Sequence, residues 1–286
     1  MSTPSDRSQD QLYTDRRGSD TPDDYINSIG GSLLYGSDYQ INKNIDLVLN
    51  SSVRFKDSFS DLQSSSYPSF NDTALNNYQL SPRINHLTKM FNKDTKITYG
   101  LDLQYADYKS HRKETTNAIP LHIYDAWQSN QSIYGQQSTS LKKDLTFGAG
   151  LRLQNSQIAI ADNLNTSAPD YAGWQTEHLT LKTNQTNYAG NIGLNYKFDK
   201  DIEIYGRIGN GFRFPNIDDR IGGSGGTSLE LKTQETNEFE IGSNYKTTTF
   251  SSSISGYLID GKNELAYDTD AFQNININST RRFGVE

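Results

Sequence analysis

The side chains best suited to chemistry in this chain are aromatic, and they gather in segments whose surroundings are polar. Tyr67 stands near Phe70, and His111, His122, Tyr124 and Trp127 share one segment. Tyr171, Trp174 and His178 share another, and Arg213 precedes Phe214. Tyrosine and tryptophan offer a large contact area with a polar handle, which suits recognition of a polar ligand, and a histidine could meet a chelated metal. The same residues could instead pack loops against one another or form an interfacial girdle. The chain's 4 histidines show no ligand spacing, so no metal site is expected. There is no nucleophile motif and no acid pair in a defined context. The run GGSGG at Gly222–Gly226 precedes no helical pattern and reads as a flexible loop. No catalytic residue and no cofactor is expected, and the chain is not read as an enzyme.

The elements that must position these groups are strands. From Asp201 to Lys246 the chain reads strand, long loop, strand. Ile202, Ile204, Gly206 and Ile208 share one parity while Glu203, Tyr205, Arg207 and Gly209 share the other. That is a strand with one apolar and one charged face. Alternation is cleanest at Ile45, Leu47, Leu49, Val53 and Phe55, and it returns at Ile97 to Tyr105, Leu145 to Leu153 and Tyr188 to Phe198. Pro82 removes a ladder donor and predicts a bulge, and the parity slips near Asn155, which predicts another.

Connections alternate between two kinds. Short turns fall at Asn42-Lys43-Asn44, Asn92-Lys93-Asp94, Lys142-Lys143-Asp144 and Asp199-Lys200-Asp201, with another near 248. Long polar loops are expected over Ser58–Asn76, Ser110–Asn130 and Asp162–Gln185, and near 222 and 267. A meander with all short turns at one end and all long loops at the other is the layout of an outer-membrane barrel. A sandwich would mix its connections. The fold class expected is all-β, an antiparallel up-and-down transmembrane barrel, incomplete, with about eleven strands of a larger one of about 22.

Composition agrees. Hydrophobic residues are 33% of the 286, no run approaches the roughly 18 apolar residues of a membrane helix, and Tyr 18, Phe 12 and Gly 22 stand against Cys 0. Only every second strand residue need be apolar in a barrel, so a weak alternation rich in Tyr, Gly, Asn and Ser is enough. A net charge of −7 argues against a nucleic-acid partner. Residues 1–24 are polar, lack an apolar signal region and are expected to be a loop or disordered, with the barrel portion over 25–286.

GNGFRFPN at Gly209–Asn216, SLELKTQETNEFEIGSNYK at Ser228–Lys246 and NSTRRFGVE at the end resemble the C-terminal half of a TonB-dependent outer-membrane receptor barrel. The likeness is specific over Asp201–Glu286 and architectural over Tyr25–Phe198. Thr233 stands where the family carries proline. The resemblance implies active uptake of a scarce nutrient, above all an iron–siderophore complex, in the outer membrane of a Gram-negative bacterium. It implies membrane lipid, the energy-coupling TonB complex and a small-molecule or metal-chelate ligand as partners. A plug domain and further strands are expected beyond the chain. Ligand candidates are Tyr67, His122, Tyr124, Trp127, Tyr171, Trp174, Arg213 and Phe214. Arg54, Arg152, Arg207, Glu238, Glu240 and Arg282 lie on the polar parity and are expected to face the lumen and its plug, because charges facing lipid cost about 2–4 kcal/mol each at midplane. A passive porin or channel is the alternative.

Overall fold

The computed structural model describes residues 9–16, 18, 23–62, 69–114, 118–169, 180–221, 230–270 and 273–286. A short helix, α1 (Gln9–Thr14), lies in the segment expected to be loop. Then come β1 (Tyr25–Asn42), β2 (Ile45–Leu62), β3 (Ser69–Met90), β4 (Lys93–Lys113), β5 (His122–Lys142), β6 (Leu145–Leu164), β7 (Thr180–Lys197) and β8 (Ile202–Arg213). One helical turn, α2 (Ile217–Arg220), separates β8 from β9 (Gln234–Lys246), and β10 (Ser251–Asp268) and β11 (Gln273–Val285) follow. All eleven strands form one sheet in sequence order, each antiparallel to the next.

The strands are longer than a membrane requires. They run from 12 residues in β8 to 22 in β3, whereas a tilted membrane strand needs about 9–11. The three loop spans expected from sequence are accordingly too wide. Ser58–Leu62 and Ser69–Asn76 are strand, as are Ser110–Lys113, His122–Asn130, Asp162–Leu164 and Thr180–Gln185. Near the short turns the outward face carries the apolar residues, and Ile133, Leu151, Ile192, Ile208 and Ile241 stand exposed there. Nearer the loops that face turns polar, at Asp57, Asp107 and Lys109, Asn155 and Gln157, and Asp260 and Lys262. The apolar residues now point the other way. Leu75, Tyr108, Tyr124, Ala126, Ile158, Ile160 and Leu181 form a packed cluster on the inner face of β3–β7, and Ile158 and Ile160 are each only 2% exposed.

This inversion corrects the reading at Asn155. No bulge occurs there, because Asn155 pairs with Gln131 on one side and Thr186 on the other in unbroken register. The parity changes because the strand leaves the lipid and the apolar side chains move to the interior. The register shifts of β1–β2 and β5–β6 sit beside turns instead, at Gln40/Asn42 and Ser140/Lys142. Pro82 makes no bulge either. It pairs with Leu49, while the β3–β4 ladder passes from Leu80↔Leu103 to Arg83↔Gly100 without a shift, so the missing N–H opens a gap and leaves the register intact. The β3–β4 turn lies one residue earlier than expected, with Phe91 and Asn92 at φ of 53° and 61°, the signature of a type I′ hairpin turn.

On the inner face three tyrosines lie across glycines of the neighbouring strand. Tyr134 covers Gly100, Tyr205 covers Gly242 and Tyr257 covers Gly284, and a Cβ on each glycine would come within 2.6–2.8 Å of a tyrosine atom. Each is a directly opposed pair. A ring fills the space of an absent side chain, which packs the wall and fixes the register.

Candidate functional site

The motif at Gly209–Asn216 ends β8 and folds the chain inward. Asn216 caps α2. Its side chain accepts from the Asp219 amide at 2.7 Å, and the Asp219 carboxylate accepts from the Asn216 amide at 2.8 Å, a reciprocal capping box. Arg213 Nη2 donates to both Asp219 carboxylate oxygens at 2.9 Å. One carboxylate therefore joins the strand end to the helix it caps. Phe214 and Pro215 are buried, and the Phe212 and Phe214 rings are 5.0 Å apart.

The turn so formed is held to the inner wall from several sides. Ile217 and Ile221 enter the apolar cluster of Tyr108, Tyr124, Ala126, Ile158 and Ile160. Arg112 of β4 donates to the Ile221 carbonyl at 3.0 Å while its guanidinium lies 5.0 Å from the Tyr124 ring centre. Tyr124 stacks on His122 at 5.5 Å and 13°, and His122 Nδ1 donates to Asp162 Oδ2 at 2.8 Å in a pair removed from solvent. On the other side Asn274 of β11 donates to the Asp219 carbonyl at 2.9 Å, and the fully buried Arg220 donates to the Leu231 carbonyl at 3.1 Å. Burial lowers the pKa of Arg220 and raises that of Asp218, the latter opposed by the nearby charge of Arg112. Sequence reasoning missed Arg112, Asp162, Asp219 and Arg220. The signal available for Asp219 was its place three residues after Asn216, the spacing of a capping box.

Towards the turns the inner wall carries paired charges. Arg152 of β6 donates to Asp102 of β4 at 2.7 Å, reaching across β5 beside Tyr134, which lies flat over Gly100. Arg207 meets Glu240 at 2.7 Å, with Tyr205 donating to the same carboxylate. Nearer the loops, Arg282 pairs with Glu264, and Glu238 accepts from Thr236. Arg54 lies among Ser52, Asn77, Gln79 and Gln104 in an inner groove of about 360 Å³. All six lumen candidates are on the inward parity.

The ligand candidates divide. His122, Tyr124, Arg213 and Phe214 come together around α2, although His122 and Tyr124 are strand residues of β5 and not loop residues. Trp127, also in β5, is on the outward parity opposite Asp107. Its ring stacks 6.4 Å from Tyr105, which lies 6.3 Å from Tyr78, and the three form an external aromatic belt at the upper edge of the apolar band. Tyr67, Tyr171 and Trp174 lie outside the described residues. Among the described residues no cluster of His, Asp and Glu could hold a metal ion.

Residues 2–286 match the family described as TonB dependent receptor-like, beta-barrel. The chain belongs to that family. Membership accounts for the meander, for the two kinds of connection and for the outward apolar band, and it places the chain in the outer membrane of a Gram-negative bacterium. Solved structures agree in fold. The chain is similar to the ferric yersiniabactin uptake receptor FyuA of Yersinia pestis, with 15% identity and a TM-score of 0.70 over 94% of this chain and 40% of that one. It is similar to the ferric-catecholate import receptor Fiu of E. coli K12, with 12% identity and a TM-score of 0.69 over 94% and 45%. It is similar also to the copper transporter OprC, with 15% identity and a TM-score of 0.71 over 92% and 42%. The chain thus spans less than half the length of each. No curated protein matches the chain in sequence.

Proposed function

We propose that the chain is the barrel portion of a receptor that takes up an iron chelate across the outer membrane, with the plug and the TonB complex supplying closure and energy. The observation that carries this reading is the division of the inner wall. Its loop side holds an inward-folded turn fastened by Arg112, Tyr124, Ile158 and Arg213, and its turn side holds a belt of paired charges. In this reading His122, Tyr124, Arg213 and Phe214 build the floor on which a chelate rests. The charged and amide groups below, with Arg54, Arg152, Arg207, Glu238, Glu240 and Arg282, meet the plug. The named cargoes of FyuA and Fiu support iron as the metal, while that of OprC makes copper the competing cargo.

The test is uptake of radiolabelled iron chelates by cells with and without the gene, under iron limitation, with and without a protonophore. Saturable uptake that disappears with the gene and with the proton gradient is the expected result. Uptake that survives the protonophore would assign a passive channel instead, and uptake of copper with no response to iron would overturn the cargo.

A further inference from the structure

The lipid-facing wall is not smooth. Between β6 and β9 it has a hollow of about 560 Å³ whose lining includes Phe147, Ile192, Leu194, Ile208, Phe239 and Ile241, all on the outward parity. The hollow exists because Gly206, at its centre, has no side chain. Gly206 lies opposite Leu194 on one side and Ile241 on the other, and a Cβ there would meet nothing nearer than a backbone oxygen at 3.8 Å. Unlike the three glycines of the inner face, it is covered by no ring. A space of this shape in an apolar wall surrounded by hydrocarbon has one available kind of occupant.

The height of the hollow says which leaflet supplies it. Tyr196 pairs with Ile204, and Tyr245 pairs with Ile202 and lies 6.2 Å from Phe250, so an aromatic collar stands at the turn end of the same strands. Such collars mark the membrane–water boundary. Gly206 is four residues above the Tyr245 level, about 10 Å along the membrane normal for a tilted strand, within the periplasmic half of a band about 25 Å tall. That leaflet is built of phospholipid, whereas lipid A occupies the opposite one.

We propose that the Gly206 hollow is a phospholipid site, in which one acyl chain lies between Leu194 and Ile241 and the Tyr196 and Tyr245 hydroxyls meet the ester and phosphate oxygens. The occupant is held more firmly than the surrounding annular lipid because apolar side chains of four neighbouring strands, β6 to β9, line the hollow. A leucine at 206 would exclude about two methylenes, which corresponds to about tenfold weaker retention.

The test is native mass spectrometry of the protein extracted from outer membranes in mild detergent, then incubated with phosphatidylethanolamine and washed. The wild type is expected to keep one phospholipid. Gly206→Leu should keep about tenfold less under the same wash, Gly206→Ala an intermediate amount, and Leu151→Met, on the outer face of β6 but outside the lining of the hollow, the wild-type amount. Heat-modifiable migration checks that each variant is folded, and if Gly206→Leu fails to assemble, Gly206→Ala carries the comparison. Equal retention by the wild type and the Gly206 variants, absence of bound phospholipid from the wild type, or recovery of lipid A in its place would overturn the proposal.

Discussion

The two ends of the same strands obey opposite rules. Near the short turns β6 sends Leu151 and Leu153 outward and Arg152 inward. Further along, past Gln157, it sends Ile158 and Ile160 inward and Ala159 and Ala161 outward. Nothing in the backbone changes between them, since the register runs through unbroken. What changes is the medium outside. Where that medium is hydrocarbon, apolar side chains face it and charges pair in the lumen. Where it is water, the strand behaves like one face of a soluble sheet and needs an internal core, which α2 completes with Ile217 and Ile221.

A single charge placed at each level of the strands should have opposite consequences. Leu101→Arg or Leu49→Arg places a guanidinium in the band, at a cost of about 2–4 kcal/mol near midplane. Assembly should be lost, read as absence of the heat-modifiable form in outer membranes. Ala161→Arg is outward too, but beyond the band, and should assemble normally. Equal assembly of Leu101→Arg and Ala161→Arg would erase the boundary between the two regions.

A core substitution separates them from the other side. Ile158→Ala empties a site in the loop-side cluster and should cost about 2–4 kcal/mol, yet leave membrane insertion intact. Its effect should be local, with α2 becoming susceptible to protease added to whole cells. Unchanged protection of α2 would mean that the apolar cluster does not hold it.

The tyrosine–glycine pairs belong to the turn-side region and predict a smaller effect. Gly242→Ala drives a methyl to 2.6 Å from the Tyr205 ring, so the ring must shift from Glu240 as well. The expected loss is about 1–3 kcal/mol in thermal or denaturant unfolding. Combining it with Tyr205→Ala should cost less than the sum of the two single changes. Strict additivity would show that ring and glycine do not pack as a unit.

The turn-side region was legible from sequence because lipid leaves a period of two in the residue types. Four of the five turn positions, the strand count and the inward placement of Arg54, Arg152 and Arg207 all follow from it. The loop-side region was not legible by the same rule. Once the apolar parity inverts, Ser110–Lys113 and His122–Asn130 read as polar loop although they continue the ladder, and Trp127 reads as a loop residue although it faces outward over Tyr105. The fastening of α2 was hidden for a different reason. Arg112 and Ile221 are 109 residues apart, and no local pattern announces a hydrogen bond made only when the sheet curls. The β3–β4 turn slipped by one because Phe91 adopts a positive φ, for which glycine or asparagine is the usual signal.

The smallest expected effect lies in the turn that completes the loop-side core, at Asp218. Burial raises its pKa above the ordinary carboxylate value of 3.8, Arg112 and Lys56 act to lower it, and the neighbouring Asp219 carboxylate acts to raise it. A carboxyl whose pKa is higher in the docked turn than in a released one is protonated more readily when docked. Its contribution is therefore complete below the released value and is lost as pH rises through the docked value. Mild acid should tighten α2 against the wall, and neutral pH should loosen it. Amide exchange of residues 217–221 between about pH 4 and pH 7, corrected for the intrinsic rate, measures this directly. Asp218→Asn should remove the dependence and hold the turn at neutral pH as the wild type does in acid, while Ile158→Ala should weaken docking equally at both. A dependence that persists in Asp218→Asn would assign it to a group other than Asp218 and would move the pH response from the helical turn to the wall that holds it.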